Sequence, residues 1–129
     1  MVAVDTNVVV RLLTNDHPGQ AARAVAVFQA GPVFIAKSVL LEVEWVLRYS
    51  YDLDTEAILR ALRAMLGLPN VSVEDPIVAA SALKLCEQGL EFADALHVAS
   101  GAHTERFVSF DGRLVKRAAR IVPGRVVSA

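Results

Sequence analysis

The chain is predicted to be an α/β domain with a small parallel sheet of four or five strands covered by helices on both faces. Three observations predict it. Short apolar runs of β character alternate with longer stretches of helical periodicity, the pattern of strand–helix–strand units. The helical stretches outnumber the strands, so some crossovers carry two helices. Two of the apolar runs, those ending at Val4 and Phe110, lead straight into an Asp and then a helical stretch. The carboxyl ends of parallel strands are where ligands bind in such sheets.

The elements follow in order. Residues 2–4 read as a strand, buried if the sheet covers it, and 8–13 as a short helix. Pro18 opens an Ala-rich helix over 18–29, which Gly31 and Pro32 end. Residues 33–36 form the second strand. Ser38 is placed to cap a helix reaching residue 49. A helix over 55–66 has Asp54 as its cap and Gly67 at its end, and 71–73 is the third strand. Pro76, a residue suited to a first helical turn, opens a helix to residue 88 that Gly89 closes. Then come a helix over 92–102, a strand over 107–109, a helix over 112–119 and an edge strand over 125–127.

Length and composition bound the function. A chain of 129 residues suits one domain, spanning 1–129, with a core of its own. No repeat, low-complexity segment or long linker divides it. Hydrophobic residues make up 54%, and the mean hydropathy is +0.44. No run approaches the ~18 apolar residues of a membrane span, so the excess points to a partner surface such as a homodimer face. The N-terminus lacks a signal-peptide pattern, and the expected location is cytoplasmic. The single cysteine, Cys86, excludes an internal disulfide and a cysteine-based zinc site, and its leucine neighbours predict a buried thiol. The net charge of −1 hides an asymmetry. After Asp111 there is no acid, while Arg113, Lys116, Arg117, Arg120 and Arg125 all follow it. A basic end on a near-neutral chain suits a partner that carries phosphate.

Among the 14 acidic residues, four stand where surface charge is not expected. Asp5 and Asp111 follow apolar strands. Glu42 has Ser38, Val39, Trp45 and Val46 as its helical neighbours, a largely apolar face on which a lone carboxylate needs a partner or a metal. Glu44, in contrast, has Arg48 four residues on. Asp94 falls in the first turn of its helix, where the helix dipole favours a carboxylate. Capping alone would explain Asp5, Asp94 or Asp111 taken singly. In a parallel sheet, however, strand ends and the starts of the helices that follow them face one rim, so all four acids are expected to converge. Four close carboxylates repel one another. A hard divalent cation relieves the conflict, and Mg²⁺ or Mn²⁺ suits an all-oxygen site. An open acidic site of this kind points to phosphoryl chemistry.

The strand–DTN–helix start, the S-x-x-x-E helix, FADALHVA and the FVSFD strand end together resemble the PIN-domain nucleases, and within them the short VapC-type toxins of toxin–antitoxin pairs. The resemblance covers nearly the whole chain. It implies a PIN-like three-layer α/β/α fold and Mg²⁺- or Mn²⁺-dependent endonucleolytic cleavage of RNA, leaving a 5′-phosphate and a 3′-hydroxyl. It also implies a homodimer and a cognate antitoxin that blocks the site. The metal-binding and catalytic acids of the family fall on Asp5, Glu42, Asp94 and Asp111. Asp5 and Asp94 are expected as main ligands, with Glu42 holding a water or second metal and Asp111 acting more weakly. Thr6, Asn7, Ser38 and Ser109 would support them. Arg113, Lys116 and Arg117 are placed to receive an RNA backbone. Arg11 is expected to form a structural salt bridge, His97 to pack structurally, and Trp45 and Tyr49 to lie in the core or at a dimer face.

Other readings fit less well. A response-regulator receiver needs an acid pair after its first strand, and Asp5 stands alone. A haloacid-dehalogenase-like phosphatase needs D-x-D, and the third position is Asn7. A catalytically silent PIN scaffold that only binds an antitoxin is the remaining alternative, and the full acid set argues against it.

Overall fold

The structure is a computed structural model describing residues 1–129. Its packing divides the chain into two compact units, Met1–Pro76 and Ile77–Ala129.

The first unit holds β1 (Val2–Ala3), α1 (Thr6–Thr14), α2 (Pro18–Ala30), β2 (Val33–Ile35), α3 (Lys37–Tyr49), α4 (Thr55–Leu66) and β3 (Val71–Val73). Its sheet is parallel in the order β1-β2-β3, with Val2 opposite Val33 and Val33 opposite Val71. The central strand has Val33 and Ile35 fully buried. The core continues through Val9, Leu40, Val43, Leu47, Ile58 and Leu62, each contributing about 1.5–3 kcal/mol when it leaves water. Asn70 fastens the unit from inside. Its amide donates to the carbonyls of Phe28 and Gly31, so the end of α2 is held to the start of β3.

The second unit holds α5 (Pro76–Glu87, starting at the boundary), α6 (Phe92–Ser100), β4 (Phe107–Ser109), α7 (Gly112–Ile121) and β5 (Val126–Ser128). β4 and β5 pair in parallel. Phe92, Ala95, Leu96, Leu114 and Ala118 are buried. Cys86 is buried too, as its neighbours predicted. Gly89 ends α5 at φ +127°, a conformation that side chains resist.

Element order and parallel pairing match the sequence-based expectation, and most boundaries agree within two residues. Three differences have physical causes. The five strands are present, but they hydrogen-bond as a sheet of three and a sheet of two rather than as one of four or five. Each strand is only two or three residues long, so each ladder is set by a few bonds. β1 is an edge strand with Val2 and Ala3 exposed, not a buried one. Ser38 does not cap α3. The helix starts two residues earlier, at Lys37, with Ala36 as its extended cap residue, and the Lys37 N–H is taken instead by Glu74 Oε1 at 3.0 Å. A carboxylate from beyond β3 thus replaces a local cap. No helix is long and apolar enough to cross a membrane.

Candidate functional site

In the first unit, strand pairing runs up to the acid. The Val4 N–H donates to the Phe34 carbonyl at 3.3 Å. Asp5 follows in extended conformation as the N-cap of α1, and its Oδ1 accepts the Val8 N–H at 3.2 Å. One carboxylate oxygen is therefore fixed by the helix start, while Oδ2 bonds nothing within the chain. Thr6 and Asn7 occupy the first turn, and neither side chain hydrogen-bonds to Asp5. α1 packs on α2 and on α3, which carries Ser38 and Glu42.

The burial argument for Glu42 is corrected by the structure. α3 buries Leu40, Val43, Glu44 and Leu47, a stripe at positions i, i+3, i+4 and i+7. Glu42 lies off that stripe and is exposed, as are Ser38 and Trp45. Val39, Leu40, Val43, Val46 and Leu47 recur at helical spacing, so the inner face was marked in the sequence and Glu42 falls on its flank. Glu44 is the buried acid, and it is paired as its spacing predicted, with Arg48 Nε donating to Oε1 at 2.7 Å. Trp45 and Tyr49 are not core residues. They are exposed, with ring centroids 5.4 Å apart.

A cleft of about 320 Å³ opens beside Asp5 between α1 and α2. Asn7, Arg11, Gln20 and Arg23 supply its polar groups. Arg11 makes the expected structural pair, donating Nη1 to Asp16 at 3.3 Å and to Tyr51 at 3.0 Å, and Nε to Gln20 Oε1 at 2.7 Å. Hydrogen bonds from Tyr51 and Thr14, with the Arg11 charge, hold the Asp16 carboxyl below its ordinary pKa. Gln20 and Arg23 were not picked out from the sequence. Their signal was there: with Ala24 and Val27 they repeat at helical spacing along one face of α2.

The second unit repeats the strand–Asp–helix arrangement. Asp111 caps α7, its Oδ1 accepting the N–H groups of Arg113 at 3.0 Å and Leu114 at 3.2 Å. The Asp111 N–H donates to Ser109 Oγ at 2.9 Å, so the serine orients the backbone of the acid. Asp94, in the first turn of α6, shares a small cavity of about 40 Å³ with Asp111, Glu91, Arg113 and Arg117. That is room for a few waters. Burial, and then the charges of Glu91 and Asp111, push the Asp94 carboxyl above its ordinary pKa, while His97 and Arg117 oppose them. Glu91 is a third acid that sequence reasoning passed over. Its signal was its place three residues before Asp94. His97 is exposed rather than packed, and it acts on Asp94 through charge.

The structure thus brings Asp94 and Asp111 to one small cavity in one unit and places Asp5 at the start of α1 and Glu42 on α3 in the other. In neither unit do three or more His, Cys, Asp or Glu side chains form a group that could hold a metal ion. Arg113, Lys116, Arg117 and Arg120 line a shallow groove of about 220 Å³ on α7. Arg125 is withdrawn from the basic set. Its Nη1 donates to the Thr104 carbonyl at 2.6 Å and its Nη2 to the Gly101 carbonyl, fastening the start of β5 to the end of α6.

Residues 2–121 match the family model of the PIN domain. The chain is a PIN-domain protein. The match runs through both strand–Asp–helix arrangements and through the S-x-x-x-E and FADALHVA segments on which the resemblance was drawn. Among solved structures, this PIN-domain chain is similar to the crystal structure of Mycobacterium tuberculosis VapC20, described as a toxin that cleaves the sarcin–ricin loop. The two share 21% identity, with 97% of this chain and 99% of that one covered and a TM-score of 0.46. No curated protein matches the sequence.

Proposed function

We propose that this single PIN domain is a Mg²⁺- or Mn²⁺-dependent endoribonuclease, the toxin of a VapC-type pair held inactive by a cognate antitoxin. The observation that carries the reading is the small cavity that Asp94 and Asp111 share. A carboxyl raised in pKa by burial and by neighbouring acids is poorly matched to an apo protein. It is well matched to a hard cation and an all-oxygen donor set. Asp5, Glu42, Asp94 and Asp111 are the residues that would hold the ion. When bound, it supplies Lewis acidity at a phosphate and a water acidified for attack.

The chain's own groups prepare the rest. Asp5 and Asp111 each have one oxygen held by helix-start N–H groups, which directs the other oxygen outward with little freedom. Arg113 and Arg117 line the cleft beside Asp94 and Asp111, where they would hold the phosphate diester and balance its charge. Lys116 extends the same basic face. Hydrolysis would leave a 5′-phosphate and a 3′-hydroxyl.

Asp5→Asn is the deciding variant. Asn is as good an N-cap as Asp, so stability should change little. Cleavage of a panel of structured RNAs in Mg²⁺ or Mn²⁺ should fall by more than about a hundredfold, as it should for the wild type in EDTA. Wild-type cleavage by Asp5→Asn would overturn the assignment.

A further inference from the structure

Resting on the nuclease reading, we infer that the cleft between α1 and α2 is a base-recognition pocket for guanine in the RNA strand, next to Asp5. The cleft has about 320 Å³, at the small end of ligand sites. That suits one nucleoside better than a larger body. Its apolar walls are Val8, Ala24 and Val27, and its polar groups come from Asp5, Asn7, Arg11, Gln20 and Arg23. A phosphate would have no use for three apolar walls, whereas a base offers two flat faces to them.

The unspent hydrogen-bonding groups of α2 select the base edge that faces them, while Asp5 Oδ2 on the opposite wall is left as an acceptor. Arg11 is held in place by Asp16, Tyr51 and Gln20 through its Nη1 and Nε. That engagement occupies Gln20 Oε1 and turns the Gln20 amide NH₂ into the open donor. Arg23 makes no hydrogen bond or ion pair within the chain, and it lines the same cleft. The free groups on α2 are therefore donors, and one of them is a guanidinium fork. Guanine presents two adjacent acceptors, O6 and N7, on one edge, and an arginine fork pairs with both. Adenine places a donor at the equivalent position, and cytosine does likewise.

The test has two arms. In the first, binding of 5′-GMP, 5′-AMP, 5′-CMP and 5′-UMP is titrated by NMR in EDTA, with inorganic phosphate as control. Wild type should bind GMP about tenfold more tightly than the other three nucleotides, with shifts on Val8, Ala24 and Val27. Arg23→Gln, at an exposed position, should remove that preference. In the second arm, cleavage sites on a random RNA pool are sequenced. Wild type should favour guanine at one fixed position beside the cut, and Arg23→Gln should flatten the preference while still cutting. Equal binding of all four nucleotides, binding of phosphate alone, or an unchanged cleavage profile in Arg23→Gln would each overturn the pocket. Guanine binding without any RNA cleavage would instead overturn the nuclease reading and leave the pocket standing.

Discussion

Asp94 is the acid whose surroundings oppose its charge. Its folded pKa is raised, so folding favours the protonated form. The ionised carboxylate therefore lowers stability above the folded pKa, and the effect vanishes below the ordinary carboxylate range. Asp94→Asn should raise the melting temperature in EDTA at neutral pH by a few degrees at most, because part of the site is open to solvent. The gain should shrink to nothing as the pH falls to about 3, where both proteins carry a neutral group. A variant less stable than wild type at neutral pH would show that Asp94 makes a favourable contact instead. Glu42 teaches the opposite lesson. Its sequence neighbours suggested burial, and the helix turned it outward.

At the scale of elements, α7 is the clearest case of sequence pattern becoming surface. Leu114 and Ala118 are buried, and Arg113, Lys116, Arg117 and Arg120 line one groove. The seven residue steps from Arg113 to Arg120 span about 10 Å, enough for more than one phosphate contact. Replacing Lys116 and Arg120 together with Gln should weaken RNA binding whatever the sequence and make it less sensitive to salt, with the slope falling by about 0.7 for each lost contact to a single strand. Fluorescence anisotropy across a salt series, with an uncleaved oligonucleotide, reads this directly. An unchanged slope would mean that RNA does not cross this face. Arg125 looks equivalent in sequence, yet two carbonyls hold it in place.

For the whole molecule, the high hydropathy is only partly absorbed by the core. Trp45 and Tyr49 are 58% and 68% exposed and lie side by side on α3. The homodimer expected from the apolar excess would cover such a pair, since buried aromatics carry much of the energy of protein interfaces. Trp45→Ser with Tyr49→Ser should convert a dimer to a monomer in light scattering and leave each protomer folded, because neither ring supports the core. A wild-type monomer at micromolar concentration, or a dimer unaffected by the double substitution, would reject α3 as its face.

Local chemistry determined the element order, the caps at Asp54 and Gly67, the strand–Asp–helix junctions, the Glu44–Arg48 pair and the basic face after Asp111. Each depends on residues within a turn or two of one another, where spacing and dihedral preference are enough. Family membership followed from the same local signals, in order along the chain. Tertiary structure alone decided that Glu74 rather than Ser38 meets the start of α3 and that Arg125 is spent on carbonyls. It alone decided that Gln20 and Arg23 meet Asp5 in a cleft. These outcomes depend on which distant groups arrive beside one another, and spacing along the chain does not encode that.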